Sequence, residues 1–180
     1  MRKAYIRYLL SLASKKRSSR FKALALIECG LVFLILIPWF LIWAGEIVSG
    51  WISLTWPSFL EISLGLAALA AGILWLGWSV WTQVAIGEGT PNFAAPTTRL
   101  IVKGPYRLCR NPIQLATMLY YLGLGTVVAD MTVGLIALAV SSIAGSLYHR
   151  YVEEKELRAR FGEEYEAYRK KTPFLIPRLK

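Results

Sequence analysis

All twenty-one Lys and Arg residues fall into three short blocks, Arg2–Lys22, Arg99–Arg110 and Arg150–Lys180. The stretches between the blocks, Ala23–Thr98 and Asn111–His149, contain none. A water-soluble helical protein spreads its cations around its surface, because each helix keeps a polar face toward water. A chain that withholds them from long apolar stretches is built to lie in lipid, with its cations gathered on one side. The net charge of +10 then reads as attraction to anionic membrane lipids. Nucleic acid is not expected as a partner, since the cations flank apolar runs.

Four runs are expected to be long enough to cross a bilayer core, which takes about 20 helical residues. They are Ala23–Ala44, Ile62–Ile86, Pro112–Ala129 and Thr132–Tyr148. The first carries a single charge, Glu28, near its basic end, and Pro38 is expected to kink it. The connection Gly45–Glu61 holds Trp51, Trp56 and Pro57 and no cation, as an outer loop with an aromatic belt would. Only Asp130 and Met131 separate the last two runs, which predicts a tight helical hairpin. Gly123 and Gly125 allow close backbone approach between helices there. Four spans return both termini to one side, and all three basic blocks then face the cytoplasm. The expected fold is an all-α, polytopic membrane protein with about four transmembrane helices and cytoplasmic C-terminal helices.

Residues 1–180 are expected to form one domain. Residues 1–22 make a basic arm, and AYIRYLLSLA within it suits an interfacial helix on the headgroups, the alternative being a disordered tail. No small-residue cleavage site follows the first apolar run, so no cleavable signal peptide is expected. Cys29 and Cys109 have neither zinc nor disulfide spacing and are expected to be reduced thiols. The oligomeric state is not legible.

Polar groups concentrate in Thr97–Gln114 and His149–Tyr168, both on the cytoplasmic face in this topology. Asn111 suits a helix N-cap and Pro112 a first helical residue. The helix start is then either an anion site or an ordinary capped end. In the second segment the adjacent Glu153 and Glu154 point about 100° apart on a helix, so only one can face inward. Glu153, four residues after His149, suits the inward position. The alternative is a charge-paired surface helix, for instance Glu154 with Arg158. His149, the single histidine, is either a packing residue or a base. Gly162 should end a helix, with a short helix following at Glu163–Lys171. Gly87-Glu88-Gly89 is either a loop hinge or a cofactor contact.

Taken in order, these segments resemble the superfamily of isoprenylcysteine carboxyl methyltransferases and phospholipid methyltransferases. The matching residues are Gly104, Pro105, Tyr106, Arg110, Asn111 and Pro112, then Glu153, Glu154, Phe161, Gly162, Tyr165, Tyr168, Pro173 and Pro177. Asn111 stands where His is usual, and Gln114 where Tyr is usual.

The resemblance implies a membrane methyltransferase that uses S-adenosyl-L-methionine, with residues 97–177 as the cofactor-binding core. By similarity, Thr98, Arg99, Leu100, Ile101, Tyr106, Arg110, Asn111, Pro112 and Gln114 line the cofactor and Glu153 holds its far end. Arg150, Glu153 and Glu154 are the implied catalytic residues, Arg150 or its neighbour His149 facing the substrate. No metal is implied. The acceptor would be a lipid or lipidated substrate entering from the bilayer: a prenylated or other lipidic carboxylate, or a phospholipid amine. The rivals are an NADPH-dependent membrane reductase of the sterol type and a non-enzymatic membrane scaffold. Transport is disfavoured, because charges at mid-membrane are absent.

Overall fold

The computed structural model describes residues 2–13, 17–52 and 56–178, and among them there is no strand. The cluster Lys15, Lys16 lies outside the described residues. The helices are α1 (Arg2–Ala13), α2 (Ser19–Leu31), α3 (Ile37–Ser49), α4 (Ser58–Ala85), α5 (Pro112–Val128), α6 (Met131–Tyr148) and α7 (Glu154–Lys171). A π turn at Val32–Leu36 joins α2 to α3, and another at His149–Glu153 joins α6 to α7. A 3-10 turn stands at Gly104–Arg107.

Three continuous helices, Ser19–Ser49, Ser58–Ala85 and Met131–Lys171, are long and apolar enough to cross a membrane. The fourth expected span, α5, is apolar but has 17 residues. At 1.5 Å per residue that is about 25 Å, short of a hydrocarbon core of about 30 Å. Pro112 sets its start and the turn at Asp130 its end. In the longest helix the apolar part ends at Tyr148, and charged sequence follows. Large apolar side chains lie bare along these helices, Trp39 at 67% and Leu74 at 74% exposure, a surface that suits lipid and not water.

The chain divides into two compact units. One comprises Leu31–Gly77 and Ile113–Gly145. Its helices meet through small residues, the usual device where lipid removes the hydrophobic drive. A Cβ on Gly72 would stand 2.5 Å from the Tyr120 nitrogen, and one on Gly123 would stand 2.3 Å from the Leu69 nitrogen. Asp130 closes the α5–α6 hairpin by accepting from the Val133 N–H at 2.8 Å, and Glu61 accepts from the Met131 N–H.

The expected disturbance at Pro38 takes the form of the π turn. In a regular helix the Phe33 carbonyl accepts from Ile37 and the Leu34 carbonyl from residue 38. Here the Ile37 N–H goes to the Val32 carbonyl, and Pro38 has no N–H. Two adjacent tyrosines on α5 replace the missing donors. Tyr121 donates to the Phe33 carbonyl at 2.7 Å and Tyr120 to the Leu34 carbonyl at 2.9 Å. In lipid no water could do this.

The other unit comprises Met1–Gly30, Trp78–Pro112 and Ser146–Lys180. In it α1 packs on α7 with Leu9 and Leu12 buried, so the expected interfacial helix has a protein partner.

Candidate functional site

The residues singled out by sequence fall mostly in this second unit, and its local chemistry explains why they meet. Gly162 takes φ 51° and ψ −123°, a conformation open to glycine and strained for other residues. It breaks α7 where a helix end was expected, and the second half of α7 continues to Lys171. That half carries Tyr165 and Tyr168, both buried. The Tyr168 hydroxyl donates to the Tyr106 carbonyl at 2.6 Å, and Arg110 donates to the Tyr165 hydroxyl at 3.4 Å. The spacing Phe161-Gly162-x-x-Tyr165 thus has a physical meaning: a turn followed by an aromatic lock on the loop at 104–111.

The C-terminal segment is stitched to the same loop. The Arg110 N–H donates to the Pro173 carbonyl at 2.9 Å, and the Arg178 N–H to the Leu108 carbonyl at 3.1 Å. Asn111, at the N-terminal boundary of α5, donates its amide to the Phe174 carbonyl at 2.8 Å. Cys109 is fully buried beneath this seam and is a free thiol, as is Cys29. Burial, opposed by the Asn111 backbone N–H, pushes the Cys109 pKa up to about 11.

The acidic pair divides as its spacing predicts. Glu153 pairs with His149 one turn back. Burial pushes the Glu153 carboxyl up, but the His149 charge and hydrogen bond, aided by Arg160, hold it below its ordinary value. Burial likewise pulls His149 down, and the Glu153 charge and hydrogen bond, with Glu154, carry it above its ordinary value. Glu154 does not pair with Arg158. It binds Arg110 at 2.6 Å and Arg169 at 3.7 Å, while Arg158 pairs with Glu166.

Several buried polar atoms are left over. Among the described residues, the Tyr106 hydroxyl, the Gln83 side-chain oxygen and the Arg110 Nε have no well-formed hydrogen bond. Burial first, then the neighbouring Glu153 charge, pushes the Tyr106 pKa well up, so its hydroxyl stays protonated. The Gln83 side chain lies within hydrogen-bonding reach of the Tyr106 hydroxyl and opposes that rise. Sequence reading missed Gln83. The available signal was a lone amide near the end of an otherwise apolar helix.

The other predicted residues are placed as follows. Thr98 donates its N–H to the Gly87 carbonyl at 2.8 Å, and exposed Arg99 pairs with Glu88 at 2.8 Å. Leu100 is half-buried, and Ile101 is buried against Gly87, where an added Cβ would meet its side chain at 2.6 Å. A Cβ on Gly89 would stand 2.4 Å from the Thr97 backbone. Gly87 and Gly89 therefore serve close packing of the loop on residues 96–101. Arg160 ties α7 to this loop through the Thr97 carbonyl and pairs with Glu156 at 2.7 Å. Pro112 is fully buried. Gln114 belongs to the first-described unit, where it donates to the Ser141 carbonyl at 2.7 Å and fills the space beside Gly145. Arg150 lies over the Phe174 ring, 5.4 Å from its centroid. No group of three or more potential metal ligands occurs among the described residues.

Comparison with known proteins bears on this arrangement. The family model described as phospholipid methyltransferase matches residues 60–164. The cobalt-zinc-cadmium resistance protein CzcN of Cupriavidus metallidurans is 33% identical over 128 residues, covering 69% of this chain and 53% of the relative. Methanethiol S-methyltransferase 2 of Bradyrhizobium diazoefficiens is 28% identical over 129 residues, covering 64% of this chain and 48% of its own length. The nickel-cobalt-cadmium resistance protein NccN of Alcaligenes xylosoxydans xylosoxydans is 31% identical over 85 residues, 46% of this chain and 38% of the relative. The chain thus spans about half or less of the length of the curated relatives it matches. No solved structure matches it. The family match runs from α4 to the turn at Gly162 and takes in the loop at 104–111 and the acidic pair, and the chain belongs to the phospholipid methyltransferase family, within the superfamily of the isoprenylcysteine carboxyl methyltransferases.

Proposed function

We propose that this protein transfers a methyl group from S-adenosyl-L-methionine to a membrane-embedded acceptor at the cytoplasmic face. The observation that carries the reading is the set of buried polar atoms without a well-formed hydrogen bond, Tyr106 Oη, Gln83 Oε1 and Arg110 Nε, in the unit that holds the ionised Glu153. Each such atom costs roughly 1–3 kcal/mol unless something completes its hydrogen bond. The set offers donors, an acceptor and a carboxylate, which fits a polar ligand bearing both an amine and hydroxyls. The phospholipid methyltransferase family match and the methanethiol S-methyltransferase relative support the same choice.

When bound, S-adenosylmethionine supplies a methyl group activated by its sulfonium charge. The residues of this chain do the rest by holding and orienting. Tyr106, protonated by its surroundings, is a hydrogen-bond donor. Gln83 accepts from an amine or hydroxyl, and Glu153 complements positive charge. His149 keeps Glu153 ionised in spite of burial. Asn111, Pro112 and the loop from Thr98 to Ile101 shape the wall, and Arg110 is fixed between Glu154 and Phe174. Glu154 is a positioning residue. Arg150 faces the acceptor side. Gln114 acts through the α5–α6 hairpin.

A lipidic carboxylate acceptor needs no base, only a cation such as Arg150. A phospholipid amine, with an ordinary pKa near 10, must first lose a proton. Asn111 cannot take it, which leaves the His149–Glu153 pair. A thiol, the acceptor named in the Bradyrhizobium relative, lies between these cases. The test is incubation of the detergent-purified protein with methyl-labelled donor and each acceptor class in turn. Label in one acceptor class supports methyl transfer and identifies the substrate. No label in any, with thermal stabilisation by NADPH but not by S-adenosylhomocysteine, favours the reductase reading.

A further inference from the structure

The π turn and first half of α7 carry a concentration of charge that adjoins the groups around Tyr106 through Arg110. A cavity of about 400 Å3 is lined by five cations, Arg110, Arg150, Lys155, Arg158 and Arg169, and one carboxylate, Glu154. Tyr106, Gln83 and Glu153 do not line it. Arg150, Glu154 and Arg158 recur at four-residue spacing and so share one helical stripe. The break at Gly162 places Arg169 beside Glu154, and the loop before α5 contributes Arg110.

The carboxylates are already engaged. Glu154 serves Arg110 and Arg169, and the neighbouring Glu166 serves Arg158 and Arg169. Among the described residues, Arg150 and Lys155 make no ion pair, and Arg150 has only the Phe174 ring beneath it. Five cations against two carboxylates leave a surplus of three positive charges. Like charges held around one cavity repel, and a bound anion relieves that repulsion. A sulfonium would add to it. A single carboxylate answers one charge. A phosphate brings up to two charges and several acceptor oxygens, which suit guanidinium forks and an ammonium together. Arg150 follows the last apolar residue of α6, Tyr148, by two positions, where headgroup phosphates would be met.

We propose that this cavity is a phosphate-binding site, adjoining the donor site proposed above and sharing only Arg110 with its polar groups, for an anionic lipid headgroup or a soluble phosphate monoester. The bound phosphate bridges both halves of α7 and the loop before α5, and so fastens the C-terminal segment.

The test uses the full chain. Its soluble arm titrates glycerol 3-phosphate against protein in neutral detergent. Its bilayer arm compares nanodiscs of phosphatidylcholine with nanodiscs containing phosphatidic acid. Thermal unfolding is the readout. The expected result is a saturable rise in melting temperature in at least one arm. Saturation in the soluble arm identifies a free phosphate monoester, and saturation confined to the bilayer arm identifies a lipid headgroup. The Arg150→Gln/Lys155→Gln variant should bind at least about tenfold more weakly, because it loses charge-assisted hydrogen bonds. Its ligand-free melting temperature should be unchanged or higher, since repulsion is relieved. Lys155→Gln alone gives the same reading, in smaller degree, if the double variant does not fold. Lys103→Gln/Arg107→Gln, which removes two cations of the same unit outside the cavity, should respond as the wild type does. No saturable rise in either arm, or equal affinity in the wild type and the cavity variants, overturns the proposal.

Discussion

Replacing Tyr121 by Phe removes one oxygen and leaves the ring where it packs. The change isolates the 2.7 Å hydrogen bond that Tyr121 donates to the Phe33 carbonyl. That carbonyl has no other source of a donor, because Ile37 is diverted to Val32 and residue 38 is proline. An unsatisfied buried carbonyl costs roughly 1–3 kcal/mol. Hydrogen bonds between membrane helices average about 0.6 kcal/mol and reach about 1.7, since the unfolded chain in lipid also finds partners. The Pro38 lesion places this bond at the upper end, so about 1–2 kcal/mol is expected. The Tyr120→Phe/Tyr121→Phe pair should lose roughly twice that. The assay is reversible denaturation in mixed micelles, followed by tryptophan fluorescence. Its control is Pro38→Ala, which returns an N–H to the kinked turn. On that background the cost of Tyr121→Phe should shrink by about 1 kcal/mol as a coupling energy. An equal cost on both backgrounds would refute the claim that the tyrosines repair the proline.

Gly162→Ala should destabilise the fold by about 1–3 kcal/mol, because φ 51° with ψ −123° strains any residue with a Cβ, although open space surrounds it; a neutral effect in thermal unfolding would contradict the turn assigned here. The His149–Glu153 pair predicts a pH dependence with two limbs. His149 has its folded pKa raised from 6.5 and Glu153 has its own lowered from 4.5, so the pair's contribution is complete between those two values. It fades as pH rises through the raised histidine value and as pH falls through the lowered carboxyl value. Melting curves of wild type and His149→Gln should converge at alkaline pH, and a constant gap would refute the pairing. Cys109, buried with its pKa pushed up to about 11, should resist maleimide at neutral pH until the protein is unfolded. Rapid labelling of the folded chain, read by mass spectrometry, would show the seam over it to be open.

Much of the fold was legible because lipid imposes a severe filter. Cations absent from Ala23–Thr98 and Asn111–His149 mark the apolar helices directly. Asp130 and Gly162 mark a hairpin and a break by their own backbone chemistry. The count of full-length spans was less accessible, since an apolar run does not say where α5 begins and ends to the residue. The form of the Pro38 disturbance was not legible at all. A proline predicts lost hydrogen bonds, and only the fold shows which side chains replace them, here Tyr120 and Tyr121, 86 and 88 residues beyond the carbonyls they serve. Within the candidate site, the split roles of Glu153 and Glu154 follow from their 100° separation. Their partners do not: Arg110, 44 residues away, takes Glu154 in place of the local Arg158. Gln83 escaped notice because one amide in a helix has no pattern to betray it.

The central claim is that the unit holding Tyr106, Gln83 and Glu153 binds the methyl donor. Titration calorimetry of the detergent-purified chain with S-adenosylhomocysteine tests it most directly. We expect saturable binding, weakened by about tenfold in Tyr106→Phe and further in Glu153→Gln, with no comparable response to NADPH. Undetectable binding by the wild type, or equal affinity in a variant carrying both substitutions, would contradict it.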